Sequence, residues 1–322
     1  MPGYLLEIRD LVVKYYTLTG VVRAVDHVSL KLKPGEWLSI VGESGCGKST
    51  MAYSIVRLIS PPGKIVGGKI IFDGRDLLGI SARDFRRILG REIGVVFQDP
   101  MTSLDPLRRI GDQIAEVYMT HLGMKKKEAL EKAGEVLERV GIPRDKISAY
   151  PHQMSGGQRQ RVAIAIAVAL KPKLLIADEP TTALDVIVQD TIMDLLQSFK
   201  KEGTSILFIT HDLALAAERS DRIAVMYAGK LVEEGPVEEI VDNPQHPYTR
   251  GLLKSVPDLW GPKKIESIPG YPPDLRSPPP GCRFHPRCRY ADDRCRREEP
   301  VLRCLGEHCV ACHKAGSSGV EG

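Results

Sequence analysis

The sequence predicts an α/β fold built on a mixed β-sheet with helices on both faces, and three observations carry this prediction. Along much of the chain, short apolar runs of strand length alternate with longer segments of helical periodicity. A glycine-rich loop at residues 42–49 joins one of these runs to a helix. The first 40 residues instead alternate apolar and polar side chains, which predicts an N-terminal antiparallel β subdomain. At 322 residues, the chain has room for one large domain and a smaller one.

Composition and charge are ordinary for a globular protein, with 43% hydrophobic and 27% charged residues. The net charge of +4 is small for this length and argues neither for nor against nucleic acid, so it identifies no partner. The longest uncharged apolar run, residues 162–170, is much shorter than a membrane span. The first residues lack the basic region and apolar core of a signal peptide. We therefore expect a cytoplasmic chain whose contact with a membrane comes through a partner.

The N-terminal subdomain has a hairpin connection at residues 17–20 and a tight turn at residues 33–36. Two aromatic residues, Tyr15 and Tyr16, precede the glycine-rich loop. Either ring could lie against a nucleotide base. An aromatic residue that only packs within the small sheet fits the pattern equally well.

The glycine-rich loop fits the pattern G-x-x-x-x-G-K-[ST] between a strand and a helix. Its glycines allow successive N–H groups to point inward, and the helix N-terminus adds positive potential, so the loop is expected to bind nucleotide phosphates. Lys48 would reach the β- and γ-phosphates, and the Ser49 hydroxyl would bind Mg²⁺. The alternative, a glycine-rich turn that matches by chance, is disfavoured by the flanking strand and helix. The predicted binding residues are Gly42, Glu43, Ser44, Gly45, Cys46, Gly47, Lys48, Ser49 and Thr50.

Helical periodicity without strand signals predicts an inserted α-helical subdomain at about residues 104–165. Within it, Ser155 is a suitable N-cap for the helix that follows. The start of that helix is a second place rich in free N–H groups, which makes it a candidate anion site. Alone this signal is weak, because Ser-Gly-Gly caps are common.

Two carboxylates, Asp178 and Glu179, follow the apolar run 174–177. Because parallel strands end at the same edge of a sheet, we expect both near the phosphate loop. Asp178 would face Mg²⁺, and Glu179 would orient or deprotonate the water that attacks the γ-phosphate. His211 follows another strand, at 205–209, and is expected to contact the γ-phosphate. For Asp178 and Glu179 the alternative is a strand that simply ends in a polar turn. For His211 the alternative is a purely structural histidine.

In order and spacing, these motifs resemble the ATPase subunits of ATP-binding cassette (ABC) systems, over about residues 4–260. The resemblance implies a P-loop NTPase core that binds ATP and Mg²⁺ and hydrolyses ATP, with Lys48, Gln98, Glu179 and His211 catalytic. Mg²⁺ would be held by Ser49, Gln98 and Asp178. The segments that match the Walker A, Q-loop, signature, Walker B, D-loop and switch motifs are 42–49, 98, 155–158, 174–179, 183–185 and 211.

The resemblance also implies that two cassettes close head to tail, so that each nucleotide site is shared between them. In related importers the aromatic residue at the position of Tyr15 stacks on adenine, which favours Tyr15 over Tyr16. The helical subdomain would receive a coupling helix of a membrane permease, and closure on ATP would drive that permease between its two faces. The residues expected to act in trans are Ser155, Gly156, Gly157, Gln158 and Asp185.

Three further segments, 98–106, 243–253 and 281–288, resemble the oligopeptide/dipeptide importer subfamily. The chain is thereby divided into an ATPase domain (1–260), a Pro-rich linker (261–281), a Cys-rich extension (282–313) and a tail (314–322). The implied partners are a second, related cassette, two transmembrane permease subunits and, indirectly, an extracytoplasmic solute-binding protein. The implied location is the cytoplasmic face of the membrane.

Six of the seven cysteines lie between Cys282 and Cys312, and in a reducing compartment such crowding indicates metal or cluster binding rather than disulfides. Four of them match the subfamily's pattern for a [4Fe–4S] cluster: Cys282, Cys288, Cys295 and Cys312. Their spacing is wide for zinc, although zinc and free thiols remain alternatives. Cys304 and Cys309 are extra and leave room for a different fourth ligand, with Cys309 and Cys312 offering a tight chelate. A structural staple is the expected role.

Cys46, the seventh cysteine, is expected to be a small filler whose backbone N–H contacts phosphate, so alkylation of its thiol should block nucleotide binding.

Four other functions of the chain stay open. They are a soluble cassette ATPase acting on ribosomes or DNA, a redox-sensing regulator, an exporter, and an importer of oligosaccharides. The absence of a second cassette or a long coiled coil disfavours the first, and the C-terminal extension favours import.

Overall fold

The computed structural model describes residues 3–182, 184–255 and 267–316. The chain forms two compact units. The first comprises Met1–Leu32, Trp37–Leu78 and Ile209–Gly322, and the second comprises Lys33–Glu36 and Gly79–Phe208. Ala183 of the D-loop segment, residues 261–266 of the predicted linker and residues 317–322 of the tail lie outside the described residues.

The first unit begins with the predicted antiparallel subdomain, a four-stranded sheet in the order β2-β1-β4-β5. A two-residue turn links β1 to β2, with Thr17 opposite Gly20. Between these strands and β4 the chain passes through β3, whose five residues are all buried, and then α1. The elements are β1 (Leu6–Thr17), β2 (Gly20–Leu32), β3 (Trp37–Val41), α1 (Lys48–Ile55), β4 (Gly63–Phe72) and β5 (Arg75–Asp76).

The second unit contains three adjacent strands in the order β8-β7-β6, with β6 and β7 parallel, and the predicted helical insertion. The apolar run at 174–178 is fully buried as β7, as expected for a central strand. Its elements are α2 (Ala82–Ile88), β6 (Ile93–Val96), α3 (Pro100–Ser103), α4 (Ile110–Leu122), α5 (Lys126–Arg139), α6 (Gly156–Val168), β7 (Leu174–Asp178), α7 (Val186–Lys201) and β8 (Ser205–Thr210), the last of which continues into the first unit.

The rest of the first unit completes a mixed sheet in the order β11-β12-β10-β9-β3. Strand β9 runs parallel to β3, and β10 returns antiparallel through a turn at Ala228-Gly229. The elements are α8 (Leu213–Arg219), β9 (Arg222–Tyr227), β10 (Lys230–Pro236), α9 (Val237–Asp242), α10 (Pro247–Ser255), α11 (Asp293–Arg297), β11 (Arg303–Leu305) and β12 (His308–Val310).

The cysteine-rich extension is built into this unit. Strand β12 pairs with β10, placing Val310 opposite Glu233. Phe284 is 4% exposed and packs with Tyr227 and Tyr248, at ring-centroid distances of 5.2 and 5.4 Å. The extension, which has few apolar residues of its own, therefore uses the core of the first unit.

None of the helices in the described ranges is long and apolar enough to cross a membrane.

Candidate functional site

The phosphate loop of the first unit needs glycine at two positions where the backbone passes close to neighbouring carbonyls. Gly42 has φ +154°, and a Cβ there would lie 2.2 Å from the Met226 oxygen. Gly47 has φ +107°, and a Cβ there would lie 2.1 Å from the Ala24 oxygen. Both distances exclude any side chain, so strands β2 and β9 determine the shape of the loop.

Lys48 is the first residue of α1 and is buried, with 5% exposure. Its ammonium group donates hydrogen bonds to the Gly42 oxygen at 2.7 Å and the Glu43 oxygen at 3.1 Å. The loop thus surrounds a cation at the N-terminus of a helix, where anionic phosphates bind favourably.

Two residues outside the predicted site reach this loop. The Glu43 N–H donates to the Tyr248 hydroxyl at 2.8 Å. The Arg287 guanidinium donates to both carboxylate oxygens of Glu43, at 2.7 and 2.9 Å. Sequence reasoning assigned no role to either residue. The one available signal was that both lie in segments resembling the oligopeptide/dipeptide subfamily.

Cys46 fills space inside the loop, as expected for a small buried side chain. It is 5% exposed, and burial raises the pKa of its thiol although Lys48 lies nearby. Its carbonyl accepts a hydrogen bond from the Gly229 N–H at 2.8 Å. Because the reactive thiolate is disfavoured, we expect the predicted alkylation of Cys46 to be slow.

Tyr15 and Tyr16 occupy different environments on β1. Tyr15 is half-buried, and its ring covers Gly63 so closely that a Cβ there would lie 2.6 Å from Tyr15 Cε1. Tyr16 is 47% exposed. Tyr15 thus packs within the small sheet, which is the alternative to base stacking, and its stacking on adenine stays a prediction.

The second unit brings Gln98 and Glu179 into contact. Gln98 Nε2 donates to Glu179 Oε2 at 2.9 Å, and the Thr182 hydroxyl donates to the same oxygen at 3.1 Å. Glu179 has φ +44°, a left-handed conformation that is uncommon for a residue other than glycine and is found preferentially at functional sites. Asp178, one residue earlier, is fully buried at the end of β7.

The start of α6 forms the predicted cap. The Ser155 hydroxyl accepts from the Gln158 N–H at 3.3 Å, and Gln158 Oε1 accepts from the Ser155 N–H at 3.1 Å, which forms a capping box. Asp185 caps α7 in the same way, accepting from the Val188 N–H at 2.9 Å. A Cβ at Gly157 would lie 2.5 Å from Val188 Cγ1. The two helix starts that contain the predicted in-trans residues, including Gly156, are therefore adjacent.

The remaining site residues are distributed between the units. His211 is exposed at the end of β8, in the first unit with the loop. Ser49 belongs to the first unit, whereas Gln98 and Asp178 belong to the second. Their shared magnesium site stays a prediction.

The expectation that the crowded cysteines bind a metal or cluster rather than form disulfides is wrong for Cys304 and Cys309. Cys304 and Cys309 form a disulfide, because the β11–β12 hairpin places them directly opposite each other with a Cα–Cα distance of 3.9 Å. The crowding therefore includes one disulfide, and Cys309 is not available as an alternative fourth ligand.

The other four cysteines of the extension carry free thiols and lie near one another. Burial, together with the smaller effects of the Cys312, Cys295 and Cys288 thiols, raises the pKa of Cys282 to about 12. The Lys314 N–H donates to Cys312 Sγ at 3.3 Å, and the Cys282 N–H donates to the Cys295 oxygen at 2.8 Å. In the described ranges no three or more His, Cys, Asp or Glu side chains are arranged to hold a single metal ion.

The chain matches two protein-family models. Residues 25–182 match the ABC transporter family, and residues 232–295 match the C-terminal region of oligopeptide/dipeptide transporters. It is 50% identical to the oligopeptide transport ATP-binding protein OppD of Bacillus subtilis, over 89% of this chain and 82% of the relative. It is 47% identical to the dipeptide transport ATP-binding protein DppD of Haemophilus influenzae, over 96% of this chain and 95% of the relative.

A solved structure has the same fold. The ATP-binding cassette MJ0796, in a dimeric post-hydrolysis state bound to ADP and Pi, superimposes with a TM-score of 0.66 at 30% identity. The match covers 72% of this chain and 98% of the cassette.

Proposed function

Given that the chain belongs to the ABC transporter family and is an ATP-hydrolysing subunit, we propose that it powers a permease that imports peptides. One observation carries this proposal. A phosphate-loop ATPase and the C-terminal region of oligopeptide/dipeptide transporters occur in a single chain. Relatives named for oligopeptide and dipeptide transport align with nearly all of it.

We assign binding of the ATP phosphates to the loop at 42–50, whose shape and buried Lys48 suit an anion. Lys48 exchanges its hydrogen bonds with the Gly42 and Glu43 carbonyls for bonds to the β- and γ-phosphates. Tyr15 stacks on the base. Ser49, Gln98 and Asp178 would hold Mg²⁺, which would supply positive charge beside the phosphate oxygens.

Glu179 orients the attacking water and accepts its proton, while His211 donates a hydrogen bond to the γ-phosphate. The contact between Gln98 and Glu179 supports this assignment, since it links Gln98, the proposed Mg²⁺ ligand, with Glu179, the proposed base. The in-trans residues Ser155–Gln158 and Asp185 of a second cassette complete the site. Val186 and Ile187 are 72% and 80% exposed beside Asp185, which suits a surface that a second chain covers.

We further propose that Cys282, Cys288, Cys295 and Cys312 hold a [4Fe–4S] cluster. The support is that the four cysteines of this pattern carry free thiols, that the other three raise the pKa of Cys282, and that Cys312 accepts a backbone N–H bond of the kind that tunes such clusters. When bound, the cluster supplies iron–thiolate bonds that cross-link the extension.

Uptake measurements test the importer assignment. Cells that lack this chain should fail to take up labelled dipeptides and pentapeptides, and the Lys48→Ala variant should fail to restore uptake although it is expressed. Restoration by the wild-type chain, with co-purification of two permeases at the membrane, is the expected result. Uptake of an oligosaccharide but not of peptides would overturn the substrate class, and full peptide uptake without this chain would overturn the transport role.

Anaerobic purification tests the cluster. The expected protein is brown, with four irons per chain and visible absorbance that is lost in Cys288→Ser. The matched control is Cys304→Ser, which removes the Cys304–Cys309 disulfide of the same extension and should keep the iron. Equimolar zinc without iron would contradict the assignment.

A further inference from the structure

Glu43, the second residue of the phosphate loop, is held at three points. Arg287 binds its carboxylate, Tyr248 binds its N–H and Lys48 binds its carbonyl. Two of these three groups, Arg287 and Tyr248, come from the C-terminal part of the chain that matches the oligopeptide/dipeptide region rather than the ATPase model.

Arg287 itself is fixed in place. Its side chain is 5% exposed, and its Nε donates to the Pro269 oxygen at 2.8 Å. The guanidinium lies 5.7 Å from the ring centroid of Tyr227 and 5.9 Å from that of Phe284. A two-bond pair between a guanidinium and a carboxylate is strong and geometrically specific, and here one partner is buried and rigid. The position of Arg287 therefore determines that of Glu43.

A second arginine of the same segment reaches the other side of the loop. Arg283 is 7% exposed and donates to the Ala228 oxygen and the Asp26 carboxylate. The adjacent Gly229 N–H donates to the Cys46 oxygen at 2.8 Å. The segment 282–288 thus supports the loop at Glu43 directly and at Cys46 through the β9–β10 turn.

We propose that the segment 282–288 positions the phosphate loop, with Arg287 and Tyr248 as positioning residues that act on Lys48 through Glu43. Lys48 takes its hydrogen-bond acceptors from Gly42 and Glu43, so a shift of Glu43 changes where the ammonium group stands. Because Arg287 of this segment contacts the loop at Glu43, nucleotide binding at the loop and the order of the segment are coupled, and the coupling is reciprocal. This inference rests on the proposed binding of ATP at the loop.

Nucleotide affinity of the purified chain is the direct test. The Arg287→Met variant keeps the packing of the side-chain stem but loses all donors, and it should bind fluorescent ADP about ten-fold more weakly, within the usual range of coupling between sites. Arg287→Lys should recover part of the loss. The control Arg294→Met, which removes an exposed pair with Glu298 in the same extension, should stay within about two-fold.

Tyr248→Phe removes one hydroxyl and keeps the ring, so it tests the inference even if Arg287→Met folds poorly. It leaves the Glu43 N–H without this acceptor, and affinity should fall about three- to ten-fold. In a double-mutant cycle, Arg287→Met should add less than about two-fold when Glu43 is already glutamine, because the two residues act through one contact.

Amide hydrogen exchange gives a readout that does not depend on hydrolysis. Saturating ADP should slow exchange across residues 282–288 in the wild type and not in Arg287→Met. Unchanged nucleotide affinity in both Arg287→Met and Tyr248→Phe, with a lowered unfolding temperature alone, would make these residues merely structural and overturn the inference. A wild-type chain that binds no nucleotide would instead overturn the proposed function.

Discussion

Glu179 combines three features expected of a catalytic carboxylate. It follows a buried strand, it has a positive φ, and its side chain accepts hydrogen bonds from Gln98 and Thr182. Only the first of these could be predicted from sequence. The strained backbone and the contact with Gln98 depend on how the chain leaves β7.

The Glu179→Gln variant keeps the size and hydrogen bonding of the side chain but removes the proton acceptor. In the assembled importer we expect ATP hydrolysis to fall about 10²- to 10³-fold, while ATP binding is retained and the closed pair of cassettes persists. Phosphate release and retention of labelled ATP measure the two effects. The control Glu202→Gln changes an exposed carboxylate that pairs with Arg139, and it should hydrolyse ATP normally. Wild-type turnover in Glu179→Gln would remove Glu179 from the mechanism.

At the scale of elements, strand β12 attaches the extension to the edge of the sheet through a histidine. His308 Nε2 lies 2.9 Å from Oε1 of the buried Glu233, and its other ring nitrogen lies 3.5 Å from Glu239. The hydrogen bond to Glu233 raises the pKa of His308, and Glu239 adds to this effect. The protonated histidine therefore stabilises the fold.

The pair of His308 and Glu233 makes the stability of the first unit depend on pH. The raised pKa means that the stabilisation is complete below the unfolded value of about 6.5 and is lost as pH rises through the folded value. Thermal unfolding should show falling stability from about pH 6 to pH 8 in the wild type and a weaker dependence in His308→Gln. The loss should be about 1 to 3 kcal/mol, as for a hydrogen bond to a charged group.

His313 provides the matched control, because it lies in the same extension and its Nε2 contacts a backbone carbonyl, that of Glu298, rather than a carboxylate. His313→Gln should keep the wild-type pH dependence. If stability fell equally with pH in the wild type and in His308→Gln, the result would show that His308 does not attach strand β12.

For the whole molecule, the phosphate loop and the signature helix are expected to serve different nucleotides. In the proposed arrangement, a single chain would contribute its loop to one site and the start of α6 to another. The capped, exposed N-terminus of α6 and the neighbouring Asp185 suit contact with a second chain. Substitutions in the phosphate loop and substitutions in the signature helix α6 should therefore have different effects on nucleotide binding and on the pairing of cassettes.

The Ser155→Arg variant separates nucleotide binding from association. It should bind ATP as tightly as the wild type, within about two-fold, because the residue contacts the partner's nucleotide. It should also block the ATP-dependent pairing of cassettes that Glu179→Gln stabilises, since a large cation occupies the interface. Fluorescent-nucleotide titration and light scattering measure the two properties. The companion variant Lys48→Ala should lose both, and weakened binding by Ser155→Arg alone would place the signature in its own chain's site.

The sequence by itself determined the fold class, the order of motifs and the family. It could do so because a phosphate loop, a buried strand ending in carboxylates and a capped helix start are local patterns, each set by neighbouring residues. The hairpins of the first unit, the α6 cap and the helical insertion were predictable for the same reason.

Only the tertiary structure decided how the C-terminal extension is used. The Arg287–Glu43 pair spans 244 positions, and no periodicity or spacing in the sequence links two residues so far apart. The Cys304–Cys309 disulfide depends on a hairpin of three-residue strands, too short for a pattern to predict. Such contacts arise when segments that lack a core of their own pack onto a unit that has one, and the docking position depends on the whole folded surface.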